Sequence, residues 1–181
     1  MRVVMNERFD IRKAIACVGL VCRENAGVVD LYRLVKTVYL ADRKNFVETF
    51  RPITNDSWVN MPHGPVNSVV YDLTKGQAKV SLQDEWGLYF ENKNNSIHMK
   101  KEPNLGVLTG LEEESIKNAV DYLKDCGNFY SIRDKVHKLP EYEETNSSKP
   151  VDVSKILKSE YPDISDEEVA EIMSDMKEMC G

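Results

Sequence analysis

Apolar residues recur at three- and four-residue spacing through Ile11, Ala14, Ile15, Val18, Val21 and Cys22, a period that predicts a helix over Phe9–Glu24. Asn25-Ala26-Gly27 stops it, with Gly27 able to take the left-handed position past a helix end. Asp30 stands as N-cap for a second helix from Leu31 to Phe46 or Phe50, and the short connection predicts an antiparallel helical hairpin. Leu31, Leu34, Val35 and Val38 share one face of that helix. Asp42 falls four residues beyond Val38, about 20° round from Leu31, so a carboxylate occupies the middle of the apolar face. Buried without partners, even a neutral polar group costs roughly 2–7 kcal/mol, and a charge more. Something must answer Asp42.

Arg51-Pro52 ends the second helix, because proline lacks the donor and clashes with the preceding turn. Ile53–Asn60 reads as loop, with a short extended piece around Trp58-Val59. Gly64-Pro65 is expected to launch another helix, since proline is favoured at the first helical position. Val66, Val69, Val70 and Leu73 would form its inner face, and Lys75-Gly76 would close it. Gln77–Glu85 fits a short helix or a covering loop equally well.

From Trp86 the period changes. Trp86–Glu91 and Ser96–Lys101 flank the polar run Asn92–Asn95, which predicts a β-hairpin. Thr109 with Glu112 makes a capping box for a helix carried by Ile116, Ala119, Val120 and Leu123. Ser131 with Asp134 is expected to cap a further short helix that stops before Pro140. Glu141–Pro150 is polar and Ser/Asn-rich and reads as a linker. Beyond it, Val153–Glu160 and Ser165–Met179 form two short amphipathic helices, the second with a Val169, Ile172, Met173, Met176 stripe. The expected fold class is mainly α (α+β): a compact helical domain with one small β-hairpin and a C-terminal helical extension.

With 181 residues, 41% hydrophobic and 30% charged, the chain has the composition of a globular protein able to bury a core. A net charge of −6 leaves no basic footprint for nucleic acid. No apolar run approaches the ~20 residues of a membrane span. The start, Met-Arg-Val-Val-Met-Asn-Glu-Arg, meets charge too early for a signal peptide, so a cytoplasmic location is expected. Cys17, Cys22, Cys126 and Cys180 show no metal-ligand spacing, and neither metal nor cofactor is expected.

Several residues carry candidate chemistry. Asp42 would either accept hydrogen bonds from the loop backbone or pair with Arg51, pinning loop to helix; the alternative is a general base or a partner-binding carboxylate. The structural role is preferred, because a lone carboxylate on such a face is more often a satisfied buried group. His63, placed before the expected helix start, would sit where free N–H groups attract anions, assisted by Arg51 or Arg43. Its plainer role is to bond the loop while Gly64-Pro65 sets the backbone. No nucleotide-binding, nucleophile-elbow or zinc-protease motif appears. The Met-bearing last helix would dock on its own domain, with a partner as the alternative.

The order Tyr39-Leu-Ala-Asp42, Arg51-Pro-Ile-Thr54, His63-Gly-Pro-Val66 and Tyr71-Asp-Leu73 resembles the SocA-like antitoxin, or Panacea, domain family. Phe9-Asp10, the hairpin around Phe90–Pro103 and Val136-His137-Lys-Leu-Pro-Glu141 extend the resemblance over about residues 7–145. Tyr142 stands where the family tends to carry Trp, which should preserve a buried aromatic. The resemblance implies a domain at residues 1–145, with a linker and two helices at 146–181 outside it. It also implies an antitoxin that neutralises a cognate toxin by direct binding, in a bacterial, prophage or phage setting, with a protease or self-association as further partners. The candidate partner-binding or motif residues are Asp42, Arg43, Arg51, Trp58, His63, Gly64 and Pro65; none is given a catalytic or metal-binding role. The alternatives are a phage or prophage accessory or regulatory protein acting through another protein, and an enzyme using Asp42 and His63. Acidic character would suit a basic toxin, because opposite charge steers association.

Overall fold

Helix α1 (Ile11–Glu24) opens on an Asp10 cap whose carboxylate accepts from the backbone N–H of Arg12 and Lys13. In this computed structural model, which describes residues 8–180, α1 is buried without a break from Ala14 to Cys22. The amphipathic stripe read from spacing therefore understates its burial: three further helices, α2 (Leu31–Thr49), α4 (Val80–Gly87) and α5 (Gly110–Leu123), a short 3-10 turn and a small sheet surround it. The N-terminal stretch read above as lacking a signal peptide lies, up to Glu7, outside the described residues.

After Gly27 the chain forms β1 (Val28–Asp30) before entering α2 (Leu31–Thr49), capped by Asp30 through Arg33 N–H. The element α2 organises everything else. It packs on α1, and further on α5 (Gly110–Leu123), α6 (Phe129–Val136) and α7 (Val153–Glu160), as well as on strand β3 (Gly64–Asn67). With neighbours on every side it is buried continuously from Leu34 to Arg43, charged residues included.

Two small antiparallel sheets complete the fold, where the pattern predicts one hairpin. The first has the order β1-β5-β4, with β4 (Phe90–Lys93) and β5 (Ser96–Met99) joined at Asn94-Asn95. Both asparagines have positive φ, 51° and 59°, as a tight two-residue hairpin turn requires. Trp86 does not belong to this hairpin; it lies in α4 (Val80–Gly87), resolving the ambiguous segment as a helix. The second sheet has the order β3-β2-β6, from β2 (Trp58–Met61), β3 and the two-residue β6 (Lys149–Pro150).

Gly64-Pro65 thus starts a strand and not a helix. Proline has the same φ in an edge strand as in a first helical turn, so the dipeptide alone does not choose; pairing of Asn60 with Pro65 on the sheet edge does. The helix begins later, as α3 (Ser68–Lys75). Helix α6 likewise begins earlier than expected. Asn128 is its cap, in a reciprocal box with Ser131, so Ser131 is the third helical residue and not the cap.

The run Glu141–Pro150 is only partly a linker: Glu141 is fully buried, and β6 adds to β2. Helices α7 and α8 (Asp166–Cys180) share a second core with Tyr39, Phe46 and Trp58, through Val153, Ile156, Leu157, Val169 and Met176. Among the described residues no helix is long and apolar enough to cross a membrane. The chain is mainly α with small β-hairpins.

Candidate functional site

Asp42 is fully buried, and its carboxylate receives five hydrogen bonds from the segment that follows α2. Phe50 ends α2 in the left-handed conformation (φ 56°), turning the chain back over the helix. Ile53 N–H and Thr54 N–H then donate to Oδ1, at 2.5 and 3.1 Å. Thr54 Oγ1, Trp58 Nε1 and Asn67 Nδ2 donate to Oδ2, at 3.0, 2.9 and 2.8 Å. Burial pushes the Asp42 carboxyl up, and the hydrogen bonds from Trp58, Thr54 and Ile53 pull it back. Of the two structural alternatives, backbone donation is the one formed. Arg51 is exposed, and its carbonyl, not its guanidinium, is engaged, accepting from Asn45 Nδ2 at 2.7 Å.

A second buried carboxylate, Asp56, lies two residues beyond Thr54. The N-cap position of α3, Asn67, makes no side-chain capping bond: its Nδ2 donates to Asp42, and its Oδ1, the atom that would accept a capping bond, reaches no partner among the described residues. Asp56 supplies the cap from outside the helix, accepting from Val69 N–H and Val70 N–H at 3.0 and 2.9 Å. Desolvation pushes its carboxyl up to about 7.

Arg43 sits one residue beyond Asp42 and turns to a different cluster. Its Nε donates to Glu141 Oε1 at 2.6 Å, and a terminal nitrogen donates to Oε2 at 3.3 Å, a forked contact. Tyr39 OH also donates to Glu141, at 2.7 Å, and the other terminal nitrogen of Arg43 reaches Glu160 of α7 at 3.0 Å. Asn60 Nδ2 donates to the Glu141 carbonyl at 3.0 Å. Arg43 therefore ties α2 to both the closing segment and the C-terminal helices.

His63 is exposed at the turn between β2 and β3, not before a helix. Its ring stands edge-on to Phe129 at 5.1 Å, and its carbonyl accepts from Tyr32 OH at 2.8 Å. The anion-site reading, which needed a helix starting at Gly64-Pro65, loses its geometric basis, because a strand starts there. Gly64 has φ 104°, and a Cβ at this position would lie 2.7 Å from a Val136 methyl, so only glycine fits the close approach of α6. The Pro65 carbonyl accepts from Lys36 Nζ at 3.0 Å.

Trp58 and Asn67 pair at one end of the β2–β3 hairpin, and Met61 and Gly64 pair at the other. Three strand steps of about 3.4 Å separate the Asp42 centre from the His63 turn by roughly 10 Å along the hairpin. Asp42 and His63 are not brought together as a reactive pair.

Spacing alone misses Lys36, Asp56, Asn67 and Glu141. Lys36 is 1% exposed on α2, with Nζ also 5.2 Å from the Tyr32 ring, and desolvation pulls its ammonium down to about 7. It stands off the apolar stripe, so no periodic signal marks it. Glu141 lies in a polar run that looks solvated. Tyr142, expected to be buried, is half-buried and stacks on His137 at 4.0 Å.

Residues 34–143, well over half of the chain, match the family described as antitoxin SocA-like, Panacea domain. No curated protein and no solved structure matches the chain. The matched span runs from α2 through the Asp42 centre to the segment holding Glu141. The chain belongs to the antitoxin SocA-like, Panacea-domain family.

Proposed function

We propose that this protein is an antitoxin that neutralises a cognate toxin in the cytoplasm by direct protein–protein contact. The observation that carries the reading is family membership across residues 34–143. The site chemistry supports it. Both Asp42 oxygens are occupied by donors of the chain itself, and a general base must instead reach the proton of an outside molecule. Asp42, Arg43, Trp58, Gly64 and Pro65 then hold a binding surface in shape rather than perform chemistry, and the role is not enzymatic. Exposed Arg51 and His63 are the motif residues available to touch a partner. Residues 1–145 act as the antitoxin domain, and 146–181 as an added arm.

The test is expression of the adjacent reading frame with and without this chain. Arrested growth that co-expression relieves, with the two proteins co-eluting, is the expected result. An adjacent product that is harmless, or whose toxicity co-expression leaves unchanged, refutes the antitoxin role. Neutralisation retained by a folded Asp42→Asn/His63→Ala double variant would exclude an essential catalytic role for the pair.

A further inference from the structure

The end of α2 and the α7–α8 turn enclose an open groove of about 560 Å³ that meets the Arg43 cluster at Glu160 and does not include Asp42. Phe50, Tyr161, Ile164 and Ile172 form its apolar floor. Phe50 and Tyr161 remain 38% and 36% exposed, with ring centroids 5.8 Å apart. Asp163, Glu168 and Glu171 stand exposed on its rim. Glu168 caps α8 through Ser165, whereas Asp163 and Glu171 form no ion pair among the described residues.

Two features set this groove apart. The first is charge: residues 146–181 carry nine carboxylates against four lysines, which places all but one of the chain's six net negative charges there. The second is Phe50 itself. It occupies the left-handed position that ends α2, where glycine is preferred because a Cβ is crowded. Its ring stands edge-on to Phe46 at 6.3 Å and leans on Tyr161, contacts that offset part of that crowding while leaving the outer face of the ring open. A bulky, part-exposed aromatic held in that conformation at a groove mouth is a feature from which function is properly inferred.

We infer that this groove is a docking site for a cationic segment of a partner protein, one that presses one or two large apolar side chains onto Phe50 and Tyr161 and sets lysine or arginine against Asp163 and Glu171. Aromatic anchors surrounded by opposite charge are the usual composition of such a contact. The acidic rim disfavours an anionic membrane as occupant. Beyond Phe50 an adjoining depression runs past Arg8, Arg51, Asp175 and Glu178, with both signs of charge, so the acidic rim at Asp163 and Glu171 is where the segment's cationic residues sit. The inference rests on the protein acting by binding a protein partner, and its test is separate from the growth assay.

A random-peptide library displayed on phage is selected on the full chain at physiological ionic strength. Enriched peptides are expected to combine basic residues with large apolar ones. Phe50→Gly and Glu171→Lys should each weaken their binding about tenfold or more, while Glu114→Lys on exposed α5 leaves it unchanged. Phe50→Gly relaxes the backbone, and calorimetry should find it folded; Glu171→Lys, on the exposed face of α8, is an independent probe should it not. Peptides without basic residues, binding indifferent to both groove variants, or failure to enrich any binder overturns the inference. A toxin that goes unneutralised overturns the antitoxin reading and leaves the peptide result standing.

Discussion

Asp42 and Trp58 are joined by a 2.9 Å hydrogen bond from the indole Nε1 to Oδ2, and both side chains are buried. Trp58 also packs edge-on against Tyr39 and Phe46, at 5.7 and 5.5 Å, and shares its cluster with Ile156, Leu157 and Val169. One residue thus links the carboxylate at the heart of the family-matched span to the helices that follow it. Loss at either end of the bond should be felt at the other.

Asp42→Ala leaves two backbone N–H groups, an indole, a hydroxyl and an amide without their acceptor inside the core. Removing one partner of a buried charged network destabilises by about 3–5 kcal/mol. Urea unfolding followed by Trp fluorescence measures it. An unchanged midpoint would contradict the structural role of Asp42.

Lys36 sets a pH dependence. Its folded pKa is pulled from 10.5 down to about 7, so between those values the unfolded chain holds a proton that the folded chain has released. Stability should therefore rise with pH from about 7 upward, and Lys36 should contribute no slope below that. Lys36→Met removes the slope and raises stability at neutral pH, because the desolvation penalty disappears and the stem volume is kept. Denaturation curves between neutral and mildly alkaline pH check both; identical slopes in parent and variant would exclude Lys36 as the source.

Glu141→Ala strands Arg43 and the Tyr39 hydroxyl, and should destabilise by about 3 kcal/mol or more, since Glu141 is fully buried and the guanidinium would keep only Glu160. Because Arg43 also reaches α7, limited proteolysis should cut between Glu144 and Pro150 faster in the variant. Equal cleavage rates would mean that β6 and the apolar contacts of α7 suffice to hold the arm.

Gly64→Ala should destabilise by roughly 1–3 kcal/mol, from the positive φ together with the overlap of the new methyl with Val136. A melting temperature within error of the parent would show that α6 can shift away freely.

Most of the helices, the Asp30 and Thr109 caps and a turn within Asn92–Asn95 are legible from spacing, because each depends on atoms within about one turn of the chain; the Asp10 cap, which starts α1 at Ile11 and not at Phe9, is not. Asp42 is legible for the same reason: helical period puts it on the apolar face and demands partners. The identity of those partners is not local. Ile53 and Thr54 follow closely enough to guess, but Trp58 and Asn67 reach Oδ2 only because β2 and β3 pair. The Gly64-Pro65 start shows the limit most plainly, since one φ serves helix and edge strand alike and only the neighbouring strand decides. Lys36 and Glu141 carry no pattern at all, and their burial comes from elements that close over them later in the chain. The sequence by itself determined most of the helices, several of their ends and the anomalous carboxylate, through short-range sterics and period. Tertiary structure alone decided which polar groups are buried and what answers them, because burial depends on residues far apart in the chain.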